Sequence, residues 1–395
     1  MPVKDYTIQH EKLAQAVQIL NEQNVDAWMT FVRETRLTND PALGLVLGED
    51  MTWHSAFIVT KTGKKIAIVG RYDGDIVKAV GAYDEVIGYD QSIKPALLDA
   101  LGKLNIRQIA VNYSESDAAA DGLNVGMYNS LKRYLEGTQY ELISAEEVLN
   151  HLRGRKSPGE IARIRSAVKL TEQIVESIGD FIKPGLSELQ ISDYIHGLFK
   201  ENSVTPSFTP TVNTGPESSM GHGGPKGDLK VAPGHVVHID LGVVLKEYVS
   251  DIQRIWYVAK SGETSVPEPV QKAFDAVRKA ILAAAAVLKP GVQGAVVDDA
   301  SRASIIASGY PEYKHAVGHH IGRTVHDGST LLGPRWERYG NSPYGIVEAG
   351  NIFTLELGVM VEGYGIVSLE EDVLVTDNGL EWVGAPQTEV MVLRS

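Results

Sequence analysis

The first third of the chain shows two kinds of apolar spacing. Apolar residues recur at helical spacing over Glu11–Gln23, which predicts an amphipathic helix. Short runs rich in β-branched residues predict strands over Val25–Val32, Ala56–Thr60, Lys65–Val69 and Ile106–Val111. Strands that alternate with helical segments are typical of an α/β layer. The turn-rich segment Gly70–Asp75 lacks the glycine spacing of a phosphate-binding loop.

The composition changes near residue 150, and we place a domain boundary there, between residues 1–150 and residues 151–395. Ser157-Pro158 followed by Glu160 indicates the start of a helix. Beyond it, helical spacing alternates with short apolar runs that indicate β-hairpins. The predicted helices are Ile161–Ile182, Leu186–Glu201 and Val270–Leu288. The pattern therefore predicts a smaller α/β domain that is followed in the sequence by an α+β domain.

The second domain contains an internal repeat that places acids inside apolar strands. Ala232–Gly242 and Glu348–Gly358 align without a gap at an offset of 116 residues. In each copy a glycine precedes an apolar run, an acid (Asp240 or Glu356) and then Leu-Gly. Each copy continues into a second strand with a further acid. Those further acids are Asp251 in the first copy and Glu370 or Glu371 in the second.

These strand acids face away from their apolar neighbours, because successive side chains of a strand alternate between its two faces. Burying one such carboxylate alone is costly. If the two duplicated hairpins pack face to face, four carboxylates meet in one cavity, and they cannot all stay ionised unless cations neutralise them. Two divalent cations would balance four carboxylates. The alternative is that Asp240 and Glu356 lie on edge strands and face water.

The composition excludes several kinds of catalytic site and partner. The chain has no cysteine, which excludes thiol nucleophiles, disulfides, cysteine zinc sites and iron–sulfur clusters. Its net charge of -13 disfavours nucleic-acid partners. The run Ala280–Leu288 is too short to span a membrane, and the first residues lack the apolar core of a signal peptide. We therefore expect a cytoplasmic protein whose metal chemistry uses histidine and carboxylates.

Three of the eleven histidines lie in segments that suggest a function. His319 lies between glycines in Gly318-His-His-Ile-Gly322, where backbone can approach a site closely, and His326 follows seven residues later. His222 lies in a glycine-rich loop before the first acid strand. Seven other histidines are interpreted as ordinary structural or surface residues: His10, His54, His151, His196, His235, His238 and His315.

These residues together resemble a known family. The set Asp240, Asp251, His319, Glu356 and Glu370 resembles the five metal ligands of the creatinase/aminopeptidase or "pita-bread" metallopeptidases, which include methionine aminopeptidase, aminopeptidase P and prolidase. The two aspartates have ten residues between them, as in the family pattern. The segments GHHIG, IFTLELG and SLEEDVLVT resemble its other motifs, and LRGRKSPGEIARIRSA resembles the start of the catalytic domain in prolidase and aminopeptidase P.

The resemblance implies a pita-bread catalytic domain with duplicated β-hairpins and flanking helices. A smaller creatinase-type N-terminal domain precedes it in the sequence. It also implies two divalent metal ions. Asp251 and Glu370 would bridge both ions, Asp240 would hold one, and His319 with Glu356 would hold the other. Four carboxylates and one imidazole favour Mn²⁺, although Co²⁺, Zn²⁺ and Fe²⁺ are compatible.

The family roles imply a mechanism. A water shared by the two ions would be the nucleophile, and Glu356 would accept and return its proton. His222 and His326 resemble the family's substrate-side histidines, which stabilise the oxyanion. Arg254 resembles an arginine that the family places next to the ligands, although an exposed strand arginine has the same pattern.

The implied activity is cleavage of Xaa-Pro bonds in short peptides, by a dipeptidase or an aminopeptidase that forms a homodimer. The extra N-terminal domain disfavours methionine aminopeptidase. Two alternatives stay open: a metal-dependent hydrolase of C–N bonds in a non-peptide substrate, and a non-catalytic binding protein with this fold. The sequence departs from the family at His320, where the motif has glycine, and at Ser368, where arginine is frequent. Both positions bear on substrate choice.

Overall fold

The computed structural model describes residues 4–219 and 224–394 and divides the chain into two compact units, Met1–Arg153 and Gly154–Ser395. Within the described ranges, no helix combines the length and the apolar character that crossing a membrane requires.

The first unit is built on a six-stranded mixed sheet with strand order β4-β3-β2-β1-β5-β6. Helices α4 and α5 contribute Leu97, Leu101 and Leu131 to the core on this sheet. The strands are β1 (Ala27–Val32), β2 (Ser55–Thr60), β3 (Lys65–Gly70), β4 (Glu85–Tyr89), β5 (Gln108–Val111) and β6 (Glu141–Ser144). The helices are α1 (Thr7–Glu22), α2 (Leu43–Val46), α3 (Gly74–Val80), α4 (Ile93–Gly102), α5 (Val125–Leu135) and α6 (Glu146–Gly154), with 3-10 turns at Arg71–Asp73 and Ala118–Ala120.

The second unit is built on a seven-stranded sheet in which β13-β14-β12-β9-β8 form a continuous order, with β15 paired to β14 and β16 to β12. Its strands are β8 (Thr211–Thr214), β9 (Val236–Leu241), β12 (Ile252–Val258), β13 (Ile352–Val361), β14 (Gly365–Thr376), β15 (Gly379–Trp382) and β16 (Met391–Leu393). A separate small sheet contains β7 (Thr205–Pro206), β10 (Val243–Leu245) and β11 (Tyr248–Val249).

The described residues of this unit also form the helices α7 (Pro158–Phe181), α8 (Glu188–Glu201), α9 (Glu268–Val287) and α10 (Gly294–Ala307), and 3-10 turns lie at Glu337–Tyr339 and Ser342–Tyr344. The start of α7 is a capping box, because the Ser157 hydroxyl accepts from the Glu160 N–H while the Glu160 carboxylate accepts from the Ser157 N–H. The predicted start of this helix is therefore confirmed.

The two duplicated hairpins, β9–β12 and β13–β14, lie side by side in one sheet. The expectation that they pack face to face is wrong, because β12 pairs directly with β14 and the backbone hydrogen bonds continue from one hairpin into the other. A strand edge left inside the molecule would have unpaired backbone groups, and this pairing satisfies them. The acids of the two copies therefore meet along a sheet surface.

The glycine after each Asp/Glu-Leu pair is required by close packing. A Cβ at Gly242 would lie 1.8 Å from the carbonyl oxygen of Ser250, and a Cβ at Gly358 would lie 2.6 Å from the side chain of Ser368. A larger residue would push the second strand of each hairpin away from the first. The glycine of each Leu-Gly pair thus lets the two strands of its hairpin pack closely beside Asp240 or Glu356.

Candidate metal centre

The acids of the repeat form part of one row across five strands. Asp240 of β9 lies opposite Gln253 of β12, Gln253 lies opposite Glu370 of β14, and Glu370 lies opposite Glu356 of β13. Thr211 of β8 completes the row on the other side of Asp240. Directly paired residues have side chains on the same face of a sheet. The row therefore brings three carboxylates from three strands onto one surface.

A histidine and a fourth carboxylate complete the group. The segment around His319 runs beside β13, where the Thr354 N–H donates to the His319 carbonyl oxygen (2.9 Å). The Nε2 atom of His319 lies 3.8 Å from an oxygen of Asp251, 3.8 Å from Glu356 Oε1 and 4.0 Å from Glu370 Oε1. Donor atoms of Asp251, His319 and Glu370 all lie within 4.8 Å of one another. The five sequence-predicted ligands thus lie together, and their role as ligands stays a prediction.

The carboxylates of this group are difficult to ionise next to one another. Burial raises the pKa of Glu356 to about 7. Burial, followed by repulsion from neighbouring carboxylates, raises the pKa of Asp240, Asp251 and Glu370 well above the usual range. Burial also lowers the pKa of His319 to about 4, so that its imidazole is neutral and its lone pair is available near pH 7. This electrostatic arrangement favours bound cations.

The donor set fits divalent metal ions. Four carboxylates and one neutral imidazole suit hard or borderline cations such as Mn²⁺. Asp240 Oδ1 is buried and has no hydrogen-bond partner among the residues that the structure describes. A buried carboxylate oxygen without a partner is costly, and a cation would satisfy it.

The second predicted histidine lies beside the first. The rings of His319 and His326 are 4.6 Å apart and nearly perpendicular. The loop that holds them is fixed by a buried ion pair, because Lys156 Nζ lies 3.0 Å from Asp327 Oδ2 and both side chains are almost excluded from water. The Asp327 N–H also donates to the carbonyl oxygen of His320 (3.1 Å). The predicted site residue His222 lies outside the described residues.

The two positions that depart from the family motifs are both buried. The His320 ring lies 4.1 Å from the ring of Phe353, and a Cβ at Gly328 would approach His320 to 2.6 Å. Here the imidazole is a packing residue that requires a nearby glycine. Ser368 instead contacts the row, since its hydroxyl donates to Gln253 Oε1 (2.6 Å).

Arg254 is buried and paired, so the alternative of an exposed strand arginine is wrong. One of its terminal nitrogens donates to Glu371 (2.9 Å), and the other donates to the carbonyl oxygen of Glu370 (2.9 Å). Because Arg254 and Glu371 are adjacent to row residues of β12 and β14, this ion pair holds those two strands in register. The arginine therefore supports the backbone on which the row depends.

Sequence reasoning missed three buried residues of this site. Gln253 lies in the centre of the row, and His238, interpreted as ordinary, donates to it through Nε2 (2.9 Å). Asp372 accepts a hydrogen bond from the Asp251 N–H (3.3 Å), and its other oxygen has no partner within the described part of the chain. The available signal was the period of two along a strand, since Gln253 and Asp372 each follow a predicted ligand by two positions.

Comparison with protein-family models finds that metallopeptidase family M24 matches residues 162–377. This range includes Asp240, Asp251, His319, Glu356 and Glu370. A similar curated protein is an uncharacterized peptidase of Staphylococcus aureus, 27% identical over 379 residues that cover 94% of this chain and 97% of that protein.

Solved structures share the fold over nearly the whole chain. A Xaa-Pro dipeptidase from Bacillus anthracis has a TM-score of 0.75 at 23% identity, covering 97% of this chain and 99% of its own. An X-Pro aminopeptidase from Thermotoga maritima has a TM-score of 0.71 at 23% identity, with coverage of 96% and 99%. A prolidase from Pyrococcus horikoshii has a TM-score of 0.69 at 22% identity, with coverage of 96% and 100%. The predicted α+β fold class is confirmed.

Proposed function

This chain belongs to metallopeptidase family M24, and from that premise we propose that it is a dinuclear enzyme that cleaves Xaa-Pro bonds of short peptides. The observation that supports this most strongly is the group of four carboxylates around one imidazole, in which Asp251 and Glu370 are buried and Asp240 and Glu356 are partly buried. In the proposal, Asp240, Asp251, His319, Glu356 and Glu370 would hold the two cations. The proposal assigns residues 151–395 to the hydrolase domain and residues 1–150 to a creatinase-like domain.

Bound divalent cations would supply a hydroxide nucleophile near neutral pH and polarise the peptide carbonyl group. Glu356 would accept the proton that the attacking water loses and would return it to the leaving amine. His326, packed against His319, donates to the oxyanion of the tetrahedral intermediate. The proposal gives His222 the same task.

Proline specificity is supported by the neighbours' names, since they are described as a Xaa-Pro dipeptidase, an X-Pro aminopeptidase and a prolidase. Manganese is proposed because oxygen donors outnumber nitrogen donors in the site. The proposed homodimer rests on the family resemblance.

The proposal predicts a metal-dependent activity with a preference for proline. A chelator should abolish hydrolysis of Xaa-Pro dipeptides or Xaa-Pro-Yaa peptides, because without cations the nucleophile and the polarised carbonyl group are lost. Added Mn²⁺ should restore it, and matched peptides with alanine in place of proline should be much poorer substrates. Hydrolysis is followed by release of the free amine, and the lengths of the accepted peptides distinguish a dipeptidase from an aminopeptidase.

Each contrary outcome points to a different function. Equal cleavage of the proline and alanine peptides would reject the proposed specificity. Turnover of creatine but of no peptide would indicate a hydrolase of non-peptide C–N bonds. Absence of turnover with Mn²⁺, Co²⁺, Zn²⁺ and Fe²⁺ would favour a binding protein.

A further inference from the structure

One neutral side chain lies in the middle of the carboxylate row. Gln253 is paired with Asp240 on one side and with Glu370 on the other. Its Nε2 atom donates to Glu370 Oε2 (2.9 Å) and to Glu356 Oε2 (3.0 Å). A primary amide has two N–H hydrogens, so these two bonds use the full donor capacity of the group.

The two hydrogen bonds distinguish the oxygens of each glutamate. Gln253 holds the Oε2 atoms of Glu356 and Glu370, while the Oε1 atoms of the same residues lie 3.8 and 4.0 Å from His319 Nε2. Without the amide, each carboxylate could rotate about its last bond, because that torsion is broad. The amide therefore fixes the plane of each carboxylate, so that the oxygen not bound to Gln253 points toward His319.

The orientation of the amide is itself fixed by donors on its other side. Gln253 Oε1 accepts from the Ser368 hydroxyl (2.6 Å) and from His238 Nε2 (2.9 Å). Since an amide oxygen only accepts, His238 must have its hydrogen on Nε2, and its Nδ1 then accepts from the Asn213 side chain (3.2 Å). A flipped amide would direct its oxygen at two carboxylates, which are themselves acceptors. The two glutamates thus favour the orientation in which the amide hydrogens face them.

We propose that Gln253 is a positioning residue of the metal centre: it orients Glu356 and Glu370 for cation binding, and Ser368 and His238 hold its amide in place. This inference rests on the proposed function, because it assigns cations to the same site. It also gives Ser368 a role. Where the family often has arginine, this chain has a hydroxyl that fits beside Gly358 and donates to the amide oxygen of Gln253.

The test compares Gln253→Met, which keeps the length of the side chain and removes the donors, with Gln173→Met on the exposed face of α7 as the control. Gln253→Met should weaken Mn²⁺ binding by about 10–100-fold in titration calorimetry, as is usual when a group that orients metal ligands is removed. The kcat value should fall more than KM changes. The control should match the wild type in both measurements.

A second variant tests whether Ser368 acts on the metal centre through Gln253. Ser368→Ala removes one of the two donors to Gln253 Oε1 and should weaken Mn²⁺ binding less than Gln253→Met. In the double variant, Ser368→Ala should add nothing, because the amide that it holds is already gone. Wild-type Mn²⁺ affinity in Gln253→Met, or additive losses in the double variant, would overturn this inference alone. Failure of the wild type to bind Mn²⁺ would overturn it together with the proposed function.

Discussion

His319→Ala should abolish hydrolysis of Xaa-Pro peptides while the protein stays folded. His319 is the one imidazole in the group, and its Nε2 atom lies within 4.0 Å of oxygens of Asp251, Glu356 and Glu370. Without it, the cation that it shares with Glu356 loses its nitrogen donor. Since a catalytic metal contributes several kcal/mol to the transition state, we expect kcat/KM to fall by about 10³-fold or more. The bound metal should fall from two ions to one.

The control is His196→Ala, which removes an exposed imidazole on helix α8. It should match the wild type in both turnover and metal content. Circular dichroism of the two variants verifies that each is folded. If folded His319→Ala keeps wild-type turnover with two ions bound, His319 is not a ligand.

Lys156→Met should destabilise the protein more than any surface change. Lys156 and Asp327 form an ion pair of 3.0 Å with side chains almost excluded from water. Removing one partner of such a pair leaves a buried, uncompensated charge, which typically costs about 3–5 kcal/mol. Asp327 also accepts from the Arg323 N–H (3.1 Å), so its loop, which holds His326, should loosen. Urea denaturation of wild type and variant measures the loss.

Two further variants test whether burial of the Lys156–Asp327 ion pair causes the expected loss of stability. Lys103→Met removes the lysine of an exposed pair with Asp99, and such exposed pairs contribute little to stability. The double variant Lys156→Met with Asp327→Leu removes both buried charges and should recover much of the lost stability. A loss for Lys156→Met no larger than that for Lys103→Met would contradict this assignment of the buried pair.

The candidate ligands were predictable because a strand has a simple period. An acid such as Asp240 between Ile239 and Leu241 must face away from the apolar layer, and the repeat places Glu356 in the same situation. Ile239 and Leu241 do pack into one apolar cluster, and Leu355 and Leu357 pack into another.

The arrangement of the hairpins was not predictable in the same way. Alternation says which face a residue takes, but it does not say whether the two hairpins stack or share an edge. The pairing of Gln253 with Glu370 decides this, and it depends on contacts between residues more than a hundred positions apart. For the same reason the role of Gln253 was not predicted. Its position two residues after Asp251 indicates the face on which it lies, but not that it contacts Glu356 and Glu370.

Helix α10 was missed for a local reason. It begins at Gly294 and contains Asp298 and Asp299, which weaken the apolar period of a helix. Gly294 is required there because a Cβ would lie 2.1 Å from the carbonyl oxygen of Leu331, and the buried Asp298 is paired with Arg302. Tertiary contacts therefore maintain a helix whose sequence propensity is modest.

The central claim is that four carboxylates and one imidazole on one sheet surface form a site for two divalent cations. The most direct measurement is titration calorimetry of Mn²⁺ into chelator-treated protein, at about pH 6 and about pH 8, in buffers of different ionisation enthalpy. Burial raises the pKa values of Glu356, Asp240, Asp251 and Glu370, and repulsion between carboxylates adds to the shift for the last three. Binding must therefore displace protons, and affinity should rise with pH. The account predicts two ions per chain, proton release and tighter binding at the higher pH. Binding of fewer than two ions, or binding without proton release, would contradict it.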